Sequence, residues 1–167
     1  MDFALTDGTQ VLIRPIQAGD SDRLEAAYER LSPESVHSRF LSAKPRLSRA
    51  ELRYLTQVDG STHVALVAVL VENPEHIAGV ARFIRSTEDP TTAEVAVTVG
   101  DCYQDKGLGR RLGMELADAA RARGVKRFTA TMLATNEAAH RLFARVSERL
   151  ETSHIGPIDE LAAHIAA

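Results

Sequence analysis

The sequence contains a single cysteine, Cys102, among its 167 residues. One thiol excludes an internal disulfide and any metal site built from several cysteines. No apolar run approaches the roughly 20 residues that a helix needs to span a bilayer. The first ten residues, MDFALTDGTQ, also lack the basic-then-apolar pattern of a signal peptide. We therefore expect a protein of the reducing cytoplasm with no membrane partner.

Positive charge is not in excess either, because 20 lysines and arginines stand against 23 aspartates and glutamates, a formal net charge of −3. A general nucleic-acid binder normally carries a basic excess, so we expect no nucleic-acid partner. Residues 101–127 do lean basic, with seven Lys or Arg against four acids. That local bias fits an anionic ligand, and it fits a solvated helix face equally well.

The first third of the chain predicts one strand followed by short helices. The length and the 44% hydrophobic content indicate one domain over residues 1–167. A strand is predicted over residues 11–16, where Pro15 favours an edge position or a strand end. Asp20 and Ser32 are candidate helix N-caps, and Ser48 with Glu51 has the spacing of a capping box.

The middle of the chain predicts three more strands, over residues 63–72, 77–84 and 93–99. The first is almost continuously apolar, which is typical of a strand that is covered on both faces. Along residues 93–99 the valines alternate with other residues, so the valines share one face and Glu94, Ala96 and Thr98 lie on the other. Glu94 is thus a carboxylate on a strand whose other residues are apolar or small.

The last third adds a helix over residues 107–123, a strand over 127–133 and a helix from Glu137 to about Leu150. A strand, helix, strand, helix order implies a right-handed crossover between two parallel strands. The predicted fold is therefore α+β, with a mixed and mostly antiparallel sheet. The tail after Glu151 fits a helix, and it also fits a hairpin that turns at Gly156-Pro157.

The turn before the helix at 107 carries Gln104-Asp105-Lys106-Gly107-Leu108-Gly109. The first amides of a helix lack intrahelical partners, and glycines allow a phosphate to approach them closely. A P-loop would need Lys-Ser or Lys-Thr after its last glycine, and Arg110-Arg111 stands there instead. A dinucleotide fingerprint would need a third glycine. The remaining pattern is Q-x-x-G-x-G between a strand and a long helix.

With these residues the chain resembles the GNAT family of acyl-CoA-dependent N-acetyltransferases. Residues 104–109 match the family's pyrophosphate-binding motif, and NEAAHRLF at 136–143 resembles its second signature. LSPES at 31–35, followed by Arg39-Phe40, resembles the bacterial protein-lysine acetyltransferase branch. The resemblance implies about six to seven strands with a V-shaped splay between the two parallel strands, and about four to five flanking helices.

The resemblance also implies acetyl-CoA as the cosubstrate, no metal, and a cofactor site made mostly of main-chain groups. The strand would pair with the pantetheine arm, the helix amides would hold the pyrophosphate, Gln104 would shape the turn, and Asn136 would bond the pantetheine from the neighbouring strand. The implied cofactor-binding residues are Val97, Thr98, Val99, Gln104, Asp105, Lys106, Gly107, Leu108, Gly109, Arg110 and Asn136.

Glu94 aligns with the catalytic glutamate of members that acetylate protein lysines. A carboxylate in a low-dielectric setting has a raised pKa, which makes it a usable general base, often through a water molecule. The structural alternatives are an exposed carboxylate at an edge or an ion pair with Arg82. His140, on the last helix, is expected to lie on a solvent face.

Two departures from the family pattern matter. Many members have a tyrosine at the position of Phe143, where its phenol protonates the departing thiolate, and Val146-Ser147-Glu148 replaces a Leu-Gly-Phe ending.

Two hypotheses follow. The first is an enzyme that acetylates a protein lysine, with a small amine as the alternative acceptor. The second is a non-catalytic acyl-CoA-binding module. Dimers are common in the family, so a homodimer is compatible with either hypothesis.

Overall fold

The structure is a computed structural model, and it describes residues 2–41, 44 and 46–165. In these residues one sheet runs in the order β1-β2-β3-β4-β5-β6-β8-β7. The elements along the chain are β1 (Asp2–Ala4), β2 (Gln10–Pro15), α1 (Ser21–Glu29), α2 (Pro33–Phe40), α3 (Arg49–Thr56), β3 (His63–Leu70), β4 (Ile77–Arg85), β5 (Thr92–Val99), α4 (Leu108–Arg121), β6 (Arg127–Leu133), α5 (Glu137–Val146), β7 (Arg149–Ile155) and β8 (Ile158–His164).

The predicted α+β fold with a mixed sheet is confirmed, and its five helices lie within the predicted range. The expected number of strands was too low, because the described residues form eight. The short strand β1 pairs with β2 ahead of the first predicted strand, and the tail contributes two strands. Three residues of mixed character at the N-terminus carry too little periodicity to predict β1. The assignment of residues 1–167 to one domain stays a prediction.

The feature that positions the site is the divergence of β5 from β6. These two strands are parallel, and their pairing runs only from Thr92 with Arg127 to Glu94 with Thr129. Residues 95–99 of β5 continue to pair with β4 and form no bridge to β6 within the described chain. The two strands therefore separate into the V-shaped splay that the resemblance implies, and Glu94 lies at its apex.

Each face of the sheet has its own core. Helices α4 and α5 cover one face, with Phe83, Leu112 and Phe128 among the buried residues. Helices α1, α2 and α3 cover the other face. Strand β3 contributes to both cores, since Val67 and Ala68 are each 0% exposed on opposite faces. The continuous apolar run of β3 thus has the two-sided burial that its sequence predicts.

Helix starts follow the predicted capping signals with one exception. Ser48 Oγ accepts a hydrogen bond from Glu51 N at 3.1 Å, and Ser32 Oγ accepts one from Ser35 N at 3.2 Å. Asp20 occupies the N-cap position of α1, but its side chain makes no cap bond. Its buried carboxylate instead accepts hydrogen bonds from Arg14 at 2.7 and 2.8 Å and from Arg23 at 3.0 Å. Two guanidinium groups outcompete the helix amides for this carboxylate.

The C-terminal region differs from the prediction for its last helix. Helix α5 ends at Val146 rather than near Leu150, because Glu148 already joins the sheet by donating its amide to His164 O at 2.7 Å. The tail forms the hairpin alternative, which turns at Gly156 with a φ of 59°. Strand β8 pairs with β6 and buries Leu161 and Ala163 against the core. No helix among the described residues is long and apolar enough to cross a membrane.

Candidate active site

A cleft of about 610 Å³ opens where β5 and β6 diverge. Its walls are the end of β5, the turn after it, the beginning of α4, one face of α5 and one face of α2. The structure brings most of the predicted cofactor-binding residues to this cleft. Those that line it are Val97, Thr98, Val99, Gln104, Asp105, Gly107, Gly109, Arg110 and Asn136.

The turn leaves the first amides of α4 available to a ligand. Gly107 is the N-cap residue, with a φ of 89°, and it has no side chain that could cap the helix. Asp105 is also left-handed, with a φ of 59°. The first turn of α4 contains no acidic residue. Because a helix N-terminus carries partial positive charge, this arrangement suits the binding of an anion.

Gln104 fastens the turn to its surroundings. Its Nε2 atom donates to Val99 O at 3.1 Å and to Ser35 Oγ at 3.2 Å. Asp101 makes a second link, since its Oδ1 accepts from Ser32 N at 3.1 Å. The bond from Gln104 to Ser35 and the bond from Ser32 to Asp101 both join the turn to the N-terminus of α2. The side chain of Gln104 therefore links the turn to β5 and α2, and its role in the cofactor site stays a prediction.

Two predicted residues do not bring side chains to the cleft. Lys106 Nζ donates to Cys102 O at 2.7 Å and pairs with Asp7 Oδ2 at 3.0 Å. Leu108 is 0% exposed and belongs to the core beneath α4. Any contribution of these two residues to cofactor binding would come from their main-chain amides, as the resemblance implies for both.

Asn136 lies at the start of α5 and lines the opposite wall of the cleft. Its Oδ1 accepts from Ala139 N at 3.1 Å and so caps the helix, and its carbonyl lies 2.7 Å from His140 Nδ1. His140 Nε2 lies 2.8 Å from Asp159 Oδ2. The other carboxylate oxygen of Asp159, Oδ1, lies 2.5 Å from His154 Nδ1. The expectation that His140 lies on a free solvent face was wrong, because β8 supplies a buried carboxylate beside it. The Asn136 carbonyl first, and Asp159 second, raise the pKa of His140.

Glu94 is exposed to solvent on the face of the sheet that α1–α3 cover. The low-dielectric setting that we expected is therefore not supplied by the described residues. The proposed ion pair with Arg82 is also contradicted. Arg82 is 4% exposed, and its Nη1 atom donates to Leu55 O at 2.9 Å and to His63 Nε2 at 3.0 Å. Glu94 instead interacts electrostatically with Arg39 on α2, where burial lowers the pKa of Arg39 and the smaller effect of the Glu94 charge raises it.

Helix α2 supplies a wall that the sequence did not assign to the site. Ser35, Ser38 and Arg39 line the cleft, whereas Val36 points into the core. The residues LSPES and Arg39-Phe40 marked only a family branch in the sequence. A usable signal was present, since positions 35, 38 and 39 share one helix face and all three are polar.

Phe143 lies in the core rather than in the cleft. It is 6% exposed and packs in the cluster beneath α4. Among the described residues, no group of three His, Cys, Asp or Glu side chains is placed to hold a metal ion.

A second recess, of about 120 Å³, lies behind β5 between the sheet and α1–α3. We call it the helix-side pocket. Its walls are mostly apolar and include Tyr28 and Phe40, whose rings lie 5.6 Å apart. Arg39 and Thr98 line both this pocket and the cleft. The two recesses therefore meet at the wall formed by β5 and α2.

Two of the curated proteins that this chain resembles share the same identity with it. The chain is 36% identical to Acetyltransferase Pat of Mycolicibacterium smegmatis over 140 residues, which covers 83% of this chain and 41% of Pat. It is also 36% identical to Acetyltransferase PA5475 of Pseudomonas aeruginosa over 136 residues, 81% of this chain and 73% of that protein. The chain thus spans about two fifths of the length of Pat.

Comparison with solved structures agrees. The GNAT domain of PAT from S. lividans superposes with a TM-score of 0.88 at 30% identity, covering 98% of this chain and 96% of that one. A cAMP-binding acyltransferase from Mycobacterium smegmatis gives a TM-score of 0.69 at 28% identity, covering 99% of this chain and 46% of that one. The whole described fold therefore corresponds to an acetyltransferase domain.

A family model gives the assignment directly. The model described as "Acetyltransferase (GNAT) family" matches residues 24–147, which include β5, the glycine turn, α4 and α5. The resemblance that the sequence shows is thereby confirmed, and with it the acetyl-CoA-dependent N-acetyltransferase class that it implies. The chain belongs to the acetyltransferase (GNAT) family.

Proposed function

We propose that the chain transfers the acetyl group of acetyl-CoA to a protein lysine by direct attack, with Glu94 as the general base. One observation carries this assignment: Glu94 lies at the last residue pair before β5 and β6 separate. A thioester that enters the splay from the cleft would reach this apex. The carboxylate there faces the side of the sheet on which α2 and the helix-side pocket lie.

The cofactor would be bound mainly by main-chain groups. Residues 95–99 of β5 have lost their pairing with β6, so their edge can pair with the pantetheine arm as an added half-strand would. The amides from Lys106 to Arg110 would hold the pyrophosphate at the N-terminus of α4. Asn136 would contact the pantetheine from the opposite wall.

In the chemical step, the acceptor nitrogen attacks the thioester carbonyl, the carbon–sulfur bond breaks, and the acceptor proton passes to Glu94, through water where the distance requires it. The CoA thiol leaves as a thiolate, since Phe143 has no proton to give. A simple thiol has a pKa of about 8.5, so the thiolate is a tolerable leaving group. Arg39 assists, because a nearby positive charge disfavours the ammonium form of the acceptor.

The lysine acceptor is supported by the LSPES segment together with the similarity to Pat and to the GNAT domain of the S. lividans PAT. A small amine is the second candidate, and the helix-side pocket favours it because such a recess suits a small group. Phe143 is the feature that supports the non-catalytic alternative. A homodimer and a cytoplasmic location stay predictions.

The test follows CoA release from acetyl-CoA with a panel of lysine peptides, lysine-bearing proteins and small amines. Glu94→Gln should lower kcat by about 10²–10⁴-fold, the usual contribution of a general base, and leave acetyl-CoA affinity unchanged. Glu72→Gln, at an exposed carboxylate in the β3–β4 turn, is the matched control and should keep full activity. Equal turnover in the Glu94 and Glu72 variants would refute the base assignment. Acetyl-CoA binding without release across the panel would favour the non-catalytic module.

A further inference from the structure

Arg82 is a buried cation without an acidic partner. It is 4% exposed, and no carboxylate of the described residues lies within salt-bridge distance of it. Only its Nη1 atom has hydrogen-bond partners there, Leu55 O and His63 Nε2. Buried charges in proteins are normally paired, so a guanidinium group left in this state indicates that an anion can be accommodated beside it.

The neighbouring histidine does not neutralise Arg82. A guanidinium group only donates hydrogen bonds, so His63 Nε2 must accept and the ring carries its proton on Nδ1. His63 is 8% exposed. Burial, together with the Arg82 charge, lowers the pKa of His63 to about 4. His63 is therefore a neutral acceptor at physiological pH and adds no negative charge to the site.

Arg39 adds a second cation to the same pocket. Its guanidinium lies 4.7 Å from the centroid of the Phe40 ring, and burial lowers its pKa. Arg39 is close to Arg82, and burial first and the Arg39 charge second lower the pKa of Arg82 to about 10. Both groups remain charged at neutral pH. They line one pocket, where their mutual repulsion would be relieved by a shared anion.

Among the described residues that line the pocket, Asp101 is the one carboxylate, and Glu94, whose charge acts on Arg39, lies next to the pocket on β5. The other ionisable side chains of the pocket are Tyr28, Arg30, His76, Cys102 and Tyr103. Asp101 is exposed and already accepts a hydrogen bond from Ser32 N. The remaining lining is mostly aliphatic and aromatic. A small, largely apolar recess with two guanidinium groups suits a carboxylate carried on a short aliphatic stem.

Sheet geometry relates this pocket to the proposed base. Arg82 on β4 pairs directly with Ala96 on β5. Glu94 lies two residues before Ala96 on β5, so its side chain is on the same face of the sheet as Arg82. Diagonal neighbours of this kind in an antiparallel pair are separated by about 7–8 Å. Because this separation joins backbone positions, it guides only the first choice of acceptor, an amine with a carboxylate about four or five carbons away.

We propose that the helix-side pocket is an acceptor subsite for a carboxylate, with Arg82 and Arg39 as its hydrogen-bond donors. This inference rests on the proposed acetyl transfer and narrows the acceptor to amines that carry a carboxylate a few carbons from the nitrogen. The carboxylate belongs to a free amino acid or to an acidic residue beside the acceptor lysine.

The decisive comparison uses 5-aminopentanoate and pentylamine, which differ by a carboxylate in place of a methyl group. A hydrogen-bonded charge of this kind contributes about 1.5–3 kcal/mol, so kcat/KM for 5-aminopentanoate should be at least tenfold higher. A parallel pair of lysine peptides, with Asp or Asn two positions from the lysine, tests the polypeptide source. A preference for the carboxylate in only one of the two pairs identifies whether that carboxylate comes from a free amino acid or from a polypeptide. Equal kcat/KM within both pairs overturns the inference and leaves acetyl transfer intact.

Two variants connect the preference to the pocket. Arg39→Gln should reduce the preference for the carboxylate at least fivefold. Arg82→Lys keeps a buried cation, so in a folded variant it should reduce the preference for the carboxylate less than Arg39→Gln does. Arg53→Gln, at an exposed arginine of α3, is the matched control and should leave the preference unchanged. An undiminished preference in Arg39→Gln and Arg82→Lys would contradict the assignment of these donors.

A binding measurement separates this inference from the proposed activity. Pentanoate, which has no amine, should bind the wild-type chain in a calorimetric titration, and pentanol should not. Arg39→Gln should weaken pentanoate binding. If no amine is acetylated but pentanoate binds in this way, the proposed function fails and the carboxylate site stands. If pentanoate does not bind and no preference is measured, the carboxylate site is refuted.

Discussion

The cleft and the helix-side pocket share a wall and differ in what they are made of. Main-chain groups at the edge of β5, in the glycine turn and at the start of α4, all within residues 97–110, form one wall of the cleft, and α2 and α5 form the others. The helix-side pocket is defined by side chains that come from α1, α2, α3, β4 and β5. The proposed pyrophosphate-binding part of the cleft is local in sequence, whereas the helix-side pocket is assembled only by the tertiary fold.

This difference predicts how each recess responds to substitution. A site made of amides depends on backbone conformation, so most side-chain replacements there should be tolerated and only replacements that alter the backbone or fill the cleft should matter. A site made of buried side chains depends on charge and on protonation. The following predictions test that contrast, from the largest expected effect to the smallest.

Gly107→Ala should have the largest effect on the cleft. Gly107 has a φ of 89°, and a left-handed conformation costs a non-glycine residue about 1–2 kcal/mol. Relaxation of the turn should move the amides of α4 and raise the KM for acetyl-CoA about tenfold, the equivalent of 1.4 kcal/mol. Gly124→Ala is the control, since Gly124 has a φ of 80° and lies beyond the other end of α4.

Both variants should lose similar stability in thermal unfolding, and only Gly107→Ala should lose affinity. Equal KM values in the two variants would show that the conformation of Gly107 is unimportant for binding and would weaken the contrast between the two recesses.

Acidification should act on Arg82, which lines the helix-side pocket, through its neighbour His63, and should affect the cleft less. The pKa of His63 is about 4 in the folded chain, below its ordinary value of 6.5, because of burial and then of Arg82. The unfolded chain therefore binds a proton first as the pH falls below 6.5, and the folded chain loses up to about 1.4 kcal/mol of stability per pH unit towards pH 4.

Chemical denaturation at pH 7, 6 and 5 measures this loss. His63→Gln keeps an acceptor for Arg82 and should flatten the dependence, whereas His37→Gln, at an exposed histidine of α2, should not. An unchanged slope in His63→Gln would contradict the neutral, buried state of His63. Acetyl-CoA affinity should vary little over this range.

Gly109→Ala should have the smallest effect, with opposite signs for stability and binding. A methyl group at Gly109 would contact only Val99 Cγ2, at 3.5 Å, and alanine is favoured in a helix by roughly 0.5–1 kcal/mol. The unfolding temperature should therefore rise slightly. Because Gly109 lines the cleft, the same methyl group should weaken acetyl-CoA binding several-fold in a titration. Unchanged affinity would place the cofactor away from this residue.

The sequence predicts the local parts of the molecule well. Capping residues such as Ser48 and the alternation on β5 depend on neighbours within a few positions, and the structure confirms both. The turn at 104–109 is equally local, and most of its residues line the cleft.

The rest depends on partners that are far apart in the chain. His63 and Arg82 are separated by 19 positions, and only the pairing of β3 with β4 brings them together. The end of α5 depends on β8, which captures the chain at Glu148, and the bonding of His140 depends on Asp159. Single-sequence periodicity contains no information about such partners.

The short pairing between β5 and β6 also has a consequence for dynamics. Beyond Glu94 and Thr129 the described residues form two half-sheets without strand pairing between them, held together there by α4 and α5 on one face and by α2 on the other. Peptide amides that face this gap are open to exchange with solvent. A cofactor that pairs with residues 97–99 would act as a removable strand, so its arrival and departure would make and break part of the fold's own hydrogen-bonded framework in each turnover.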